Sequence, residues 1–472
     1  MGPMIIRTKI VATVGPACQD QPVLAEMVRA GVDVFRINFS HGDESTRAAA
    51  LEAIRGVEAR LGESLAVMAD LCGPKIRVGM MAGGGSQLVT GGRVEIRREP
   101  LEGDADVIST TLGELVDNVH AGQTLLLDEG SIRLRVAEVH PPERIVCQIV
   151  RGGLLRSGKG VHLPETELKL SALTEKDRAD VAWIVERDFD LVALSFVQRP
   201  ADVSELRSLL PEQTWIIAKI ERPQALERID GIVAAADGLM VARGDMGVEM
   251  PLPQIPLAQK RLLRLCRQRG KACIVATQML ESMTRSPLPT RAEVTDIANA
   301  VLDGSDSVML SGETAVGAYP VQAVAMMNEI AAAAEAYEAE HPSDVRVECA
   351  PSPTTAALAA AVRAVIDREP IAAVAVFTAT GTTAGMLAKQ RLAVPILAMS
   401  PSLRAVRQMN LLYGVRPVQE AAPGHTREVL AMAGGHLKAM GLAKPGEKVA
   451  VVSGRPIGKP GATNTLVIHT LD

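Results

Sequence analysis

Eight short β-branched runs, each followed by a stretch of helical character, set the strongest limit on how this chain folds. They are Thr8–Val14, Val32–Asn38, Ala66–Asp70, Leu191–Phe196, Trp215–Ile220, Gly238–Ala242, Ala272–Ala276 and Ser307–Leu310. Between them, Leu51, Ile54, Val57 and Leu61 recur at helical spacing within Glu44–Leu61. Thr174-Glu175-Lys176-Asp177 reads as a capping box that opens a helix over Asp177–Arg187. Strand and helix in alternation give a parallel sheet with crossover helices. Eight such units predict a closed (β/α)8 TIM barrel, ahead of an open doubly wound sheet.

In such barrels chemistry sits where the strands end, and the polar residues of this chain gather there. Arg36, Asn38, Ser40 and His41 follow the second run, Asp70 to Arg77 the third, and Ser195 the fourth. Lys219 and Glu221 close the fifth, Asp245 follows the sixth, Thr277 and Gln278 the seventh, and Ser311 to Thr314 the eighth. Ordinary loop residues would be spread over both ends of the strands, so the convergence favours an active site. Glu221 and Asp245 lie one repeat apart. A hard ion such as Mg²⁺ takes one or two protein carboxylates and keeps positions open for substrate oxygens, so these acids with Lys219 read as a clamp for an anionic substrate. Each of the three, taken alone, reads equally well as a solvated surface charge.

Fifty basic residues against 55 acidic ones leave a formal charge of -5, too even for nucleic acid or an anionic membrane to be the main partner. Small anions must then be held by local clusters. Six cysteines without paired zinc spacing, no leader-like N-terminus and no uninterrupted apolar stretch of roughly 20 residues point to a reducing cytoplasm.

Two further segments depart from the barrel pattern. From Leu71 to about His162 the helical period gives way to the alternating stretches Arg93–Arg97, Thr124–Leu127, Ile132–Val139 and Ile145–Val150, which predict a small, barrel-like all-β insertion over 71–162. Hinged near Gly73-Pro74 and Gly158 to Pro164, it is placed to close over the site and exclude water. The catalytic barrel would then comprise 1–70 and 163–341. After Pro342 and the Pro351 to Pro353 cluster, strands over Ile371–Phe377, Val394–Met399, Lys448–Val452 and Thr465–Ile468 alternate with helices, giving an α/β domain over 342–472. In it, Thr378-Ala379-Thr380-Gly381-Thr382-Thr383 joins strand to helix, and its amides either hold a phosphate or merely turn the chain.

Six strings in this order resemble the pyruvate kinase family: Thr8 to Pro16 (TKIVATVGP), Arg36 to Gly42 (RINFSHG), Asp70 to Arg77 (DLCGPKIR), Met240 to Asp245 (MVARGD), Ala276 to Met283 (ATQMLESM) and Met309 to Ala315 (MLSGETA). The resemblance covers nearly the whole chain, and its short form is similar to bacterial members without an appended C-terminal domain. It implies transfer of the phosphoryl group of phosphoenolpyruvate to ADP, giving pyruvate and ATP, on a barrel with a β lid and a C-terminal effector domain. It also implies that Glu221 and Asp245 hold Mg²⁺, with Mn²⁺ as an alternative, and that Lys219 stabilises the enolate and the phosphoryl in flight. Arg36 and Arg77 would neutralise charge from the other side, and Thr277 would serve protonation of the enolate carbon. The backbone of Arg243, Gly244 and Asp245, with Ser311 nearby, would receive the substrate carboxylate, while Asn38, His41 and Lys159 would face the nucleotide.

Members of the family that need K⁺ bind it near residues matching Asn38, Ser40, Asp70 and Leu71, and carry Glu where this chain has Lys75. An ammonium tethered beside Asp70 would replace that ion, so activity without K⁺ is expected; the other reading is a lysine that points to solvent. A sugar-phosphate or AMP effector is implied by resemblance at Thr378, Thr380, Gly381, Thr382 and Thr383 with Arg455, although that loop lacks the family's basic residue and only Arg455 and Lys459 lie near it in sequence. A homotetramer is likewise implied. Two other functions stay open: a different Mg²⁺-enolpyruvate barrel enzyme such as an aldolase or lyase, which needs neither lid nor Arg36, and a catalytically silent regulatory paralogue, which would be expected to have lost Lys219, Asp245 or Thr277.

Overall fold

The strands Lys9–Thr13, Val32–Asn38, Ala66–Asp70, Leu191–Leu194, Trp215–Ile220, Gly238–Ala242, Ala272–Ala276 and Ser307–Leu310 pair in parallel and close into one eight-stranded barrel, the first strand bonding both the second and the last. These positions come from a computed structural model that describes residues 6–166, 171–341, 353–459 and 461–472. The runs are apolar on both faces because both faces are buried. Ile10, Ala12, Phe35 and Ile37 pack outward against the helices, whereas Val11, Val34, Met68, Ile217, Met240, Ile274 and Met309 fill the interior.

Helix boundaries follow their caps. Asp43 accepts the Thr46 amide and opens Glu44–Leu61, which ends on left-handed Gly62. Thr174 and Asp177 form the expected capping box, so the helix runs over Glu175–Val185; Asp177 is the third residue of the helix rather than its first.

Between the third and fourth barrel strands the lid contains all four predicted strands, over Arg93–Arg97, Thr124–Leu127, Ile132–His140 and Arg144–Arg151, together with the shorter Val107–Ser109 and Val161–His162 at the two edges of the sheet. A separate ribbon pairs Gly85–Leu88 with Gly153–Arg156. The two edge strands, three and two residues long, do not pair with one another directly; the segment 76–79 lies between them, Val78 bonding the Lys159 carbonyl on one side and Gly79 the Ser109 carbonyl on the other, which gives the lid its barrel-like form.

In the C-terminal part, strands Val415–Gln419, Ile396–Ser400, Ile371–Phe377, Lys448–Gly454 and Thr463–Thr470 lie side by side in that order, parallel except for the last. Buried ion pairs fasten this part to the underside of the barrel: Lys389 to Asp306, Arg391 to Glu338 and Arg407 to Glu58. The linker expected around Pro342 and Pro351 lies outside the described residues. No helix among the described residues is long and apolar enough to cross a membrane.

Candidate active site

Strand order dictates which side chains meet. Arg36 and Asp70 end neighbouring strands, and Arg36 Nε lies 2.6 Å from Asp70 Oδ2 while Nη1 donates to Thr13 Oγ1 at 3.0 Å. From the fifth strand, Lys219 reaches the same carboxylate, with Nζ 3.2 Å from Asp70 Oδ1 and 3.0 Å from Glu221 Oε1. Nζ also donates to Ser195 Oγ at 2.7 Å, and that hydroxyl donates to the Leu71 carbonyl at 2.7 Å. Glu221 Oε2 accepts the Phe196 amide at 2.8 Å. This contact holds Phe196 at φ +55, an uncommon state for a bulky residue.

Electrostatics follow from this geometry. Burial works to raise the Asp70 pKa, but Arg36 and Lys219 outweigh it and hold the carboxyl below its ordinary value. Burial also works against the Lys219 ammonium, yet Asp70 and Glu221 overcome it and push its pKa above the usual lysine value. Glu221 goes the other way. Burial, reinforced by the Asp245 charge and opposed by Lys219, raises its pKa. Glu221 Oε1 is buried, and its one close neighbour is the Lys219 ammonium at 3.0 Å, which leaves the oxygen otherwise without a hydrogen-bond partner. An orphaned, buried carboxylate oxygen beside a second carboxylate suits a hard divalent ion, so the residues present fit the expected metal.

Asp245 stands in the first turn of the helix Arg243–Glu249, which begins directly at the end of the sixth strand. The Arg243 side chain is not free to bind substrate. It donates to Asp296 Oδ1 at 2.6 Å and to the Thr277 carbonyl at 2.7 Å. Thr277 and Gln278 both have positive φ, +72 and +56, and Thr277 Oγ1 accepts the Gly244 amide at 2.8 Å while donating to the Ala276 carbonyl at 2.6 Å. Strain at two consecutive residues concentrates where the seventh strand meets the site. Gly73 at the lid hinge, with φ +68, is needed there: a Cβ would stand 2.8 Å from the Phe196 ring.

One expectation is corrected outright. Lys75 is not ion-paired with Asp70; its ion pair is with Asp245, Nζ to Oδ1 at 3.7 Å, and Asp70 is held by Arg36 and Lys219. Other expected residues sit further out. Arg77 donates to the Gly158 carbonyl at 3.0 Å, tying the two hinge segments together rather than joining the cations at the centre. Lys159 pairs with Asp128 within the lid at 2.8 Å. His41 is exposed, Asn38 Oδ1 accepts the Ser40 amide, and the Ser311 amide is held by Glu313. In the C-terminal part a cavity of about 210 Å³ is lined by Thr378, Thr380, Thr382, Thr383 and Lys459. Gly381 caps the helix Thr382–Ala388, and Arg455 is turned away to Thr426 Oγ1 at 3.0 Å, so Lys459 rather than Arg455 is the cation at this cavity. Sequence reasoning placed Ser195 at a strand end without its role as the lysine's acceptor; no sequence signal pairs a serine with one particular ammonium.

A closed barrel with a carboxylate-and-lysine centre at its mouth, a β lid after the third strand and a C-terminal α/β part defines a barrel phosphotransferase. Residues 5–324 match the family model for the barrel domain of pyruvate kinase, and residues 355–469 match that for its alpha/beta domain. The chain is 44% identical over 466 residues to a pyruvate kinase of Agrobacterium vitis, covering 98% of this chain and 96% of the relative. It is 40% identical to one of Geobacillus stearothermophilus, covering 98% of this chain and 80% of that protein. Among solved structures it is similar to a pyruvate kinase from Cryptosporidium parvum, with a TM-score of 0.91 at 34% identity, over 99% of this chain and 96% of the other. The chain belongs to the pyruvate kinase family.

Proposed function

We propose that this chain transfers the phosphoryl group of phosphoenolpyruvate to ADP, giving pyruvate and ATP. The observation that carries this reading is Lys219, an ammonium wedged between Asp70 at 3.2 Å and Glu221 at 3.0 Å at the mouth of the barrel. Asp70 and Glu221 raise its pKa and so favour the charged form. Phosphoryl transfer asks the protein for little covalent chemistry and much fixed positive charge in a dry site. Arg36 and Lys219 supply two such charges on either side of Asp70, which orients both. Glu221 and Asp245 would hold Mg²⁺ or Mn²⁺, which supplies charge neutralisation and polarises substrate oxygens when bound. Thr277 would position the water that protonates the enolate carbon, and Lys159 would exchange Asp128 for a nucleotide phosphate as the lid closes. Asn38 and His41 would face the nucleotide.

Activity without K⁺ is part of this reading, with Lys75 as the substitute charge acting through Asp245. The boundaries are read as 1–70 with 163–341 for the barrel, 71–162 for the lid and 342–472 for the C-terminal domain, the last as the seat of effector binding and of a homotetramer in the cytoplasm. The aldolase or lyase and the silent paralogue have less support, since the lid, Arg36, Lys219, Asp245 and Thr277 are all retained. Coupled detection of pyruvate from phosphoenolpyruvate with and without ADP tests the proposal. ADP-dependent pyruvate matched one-to-one by ATP supports it, and pyruvate formed equally without ADP overturns it.

A further inference from the structure

Away from the orphaned oxygen of Glu221, a second buried polar atom near the barrel mouth lacks a partner. His162, on the last lid strand, is only 3% exposed, and its Nε2 has no hydrogen bond. Its other ring nitrogen, Nδ1, lies 3.2 Å from Glu249 Oε1, a carboxylate itself buried at the end of the helix that carries Asp245. In the tautomer that donates from Nδ1 to that carboxylate, Nε2 presents a lone pair. This carboxylate–histidine relay is the arrangement that orients a metal-binding imidazole and raises its basicity. What the ring faces is acidic. Glu129 of the lid, His162 and Asp245 of the barrel each offer one ligand atom, all within 4.8 Å of one another. Gly160 keeps the space between them open, since a Cβ there would stand 3.1 Å from His162 Nε2 and 3.6 Å from Glu129 Oε1. A lone pair and two carboxylates converging in one half-buried space are the donor set of a cation site. The cation nearest Asp245 at present is Lys75, at 3.7 Å and 27% exposed, too long for a hydrogen bond and able to swing to solvent.

We infer that Glu129, His162 and Asp245 form a second divalent-cation site that joins lid to barrel. Two oxygens and an imidazole suit a borderline transition ion, Zn²⁺ above all, rather than Mg²⁺. Bonds of roughly 2.0–2.2 Å require the ligand atoms to draw closer than they now stand, and exposed Glu129 is the one free to move. An ion bound here would latch the lid shut and take one carboxylate oxygen of Asp245 from the catalytic centre. The inference concerns ion binding and stands whether or not the turnover proposed above is observed.

The test is Zn²⁺ binding to the full chain in excess Mg²⁺, read by equilibrium dialysis and by zinc-edge X-ray absorption, for the unmodified protein and for Glu129→Gln, His162→Gln and Glu249→Gln. The catalytic acids offer only oxygen, so an imidazole in the zinc shell reports this site, and comparing variants separates His162 from the other seven of the eight histidines. The expected result is one Zn²⁺ per chain with a bound imidazole, its affinity lowered at least about tenfold in each of the three variants. Because Glu129 is exposed, its substitution leaves folding intact. Equal Zn²⁺ affinity in Glu129→Gln, or a zinc shell without imidazole, overturns the inference.

Discussion

Lys219 donates to Ser195 Oγ at 2.7 Å, and the hydroxyl in turn donates to the Leu71 carbonyl, so one serine fixes where the ammonium points. Asp70 and Glu221 hold the same ammonium as ion pairs, at 3.2 and 3.0 Å. Removing the hydroxyl in Ser195→Ala should leave the lysine charged but less well aimed. Losing one hydrogen bond to a charged group corresponds to about a tenfold fall in kcat, with a smaller change in KM for phosphoenolpyruvate. Steady-state kinetics check this, and an unchanged kcat would remove Ser195 from the positioning role.

Lys75 and Asp245 form the next relationship to test, at 3.7 Å. If the ammonium stands in for a monovalent ion, the unmodified enzyme works at full rate in buffers free of Na⁺ and K⁺. Lys75→Glu should then lose about tenfold or more without K⁺ and regain much of it on K⁺ addition, since a nearby charge is worth a few kcal/mol in a half-buried site. Strong K⁺ activation of the unmodified chain rejects the idea.

Thr277 combines φ +72 with a branched side chain, a combination that costs of order 1–3 kcal/mol and persists only where surroundings impose it. Its hydroxyl bridges the Gly244 amide and the Ala276 carbonyl. Thr277→Ser keeps the hydroxyl and should retain activity within a few-fold with an equal or higher Tm. Thr277→Val leaves the Gly244 amide without its acceptor and should lower kcat about a hundredfold. Equal kcat in the two variants, from parallel kinetics and thermal melts, would count against a role for the hydroxyl.

For Glu221 the sign is set by burial. A carboxyl whose pKa lies above its ordinary value holds its proton at pH values where a surface glutamate has lost it. Without metal, its contribution to stability is greatest at low pH and is lost as pH rises through the raised pKa. A divalent ion must displace that proton, so metal affinity should rise with pH, by about tenfold per unit on the acid side of the raised pKa. Mn²⁺ binding followed by EPR across that range checks it, and Glu221→Gln should flatten the profile. A pH-independent affinity in the unmodified chain would contradict the assignment.

The barrel was legible because its strands are buried on both faces and therefore uniformly apolar: all eight runs reappear as strands, with only their ends trimmed. Legibility failed mainly where an element is very short or carries a proline. Gly85–Leu88, Val107–Ser109 and Val161–His162 hold four residues or fewer, too few to show a period. Val415–Gln419 hides behind Pro417, which a strand tolerates here because it lies at the edge of its sheet. Arg36, Lys219, Glu221 and Thr277 could be placed at strand ends from sequence because the barrel rule fixes where strands point. The partners of Lys75, Arg77 and Arg455 could not, since long flexible side chains choose among several acceptors by tertiary distance. Glu129 and His162 were invisible for a related reason: they meet Asp245 only through the docking of lid on barrel.

The central claim is that the Lys219 ammonium acts on the departing phosphoryl and enolate while Glu221 and Asp245 independently hold the metal. Lys219→Met separates these roles, and the decisive measurement is Mn²⁺ affinity by EPR alongside turnover in that one variant. The expected result is a dissociation constant within a few-fold of the unmodified enzyme and kcat lowered by about a thousandfold or more, as for loss of one preorganised charge. Turnover at the normal rate, or loss of metal binding in step with activity, would contradict it.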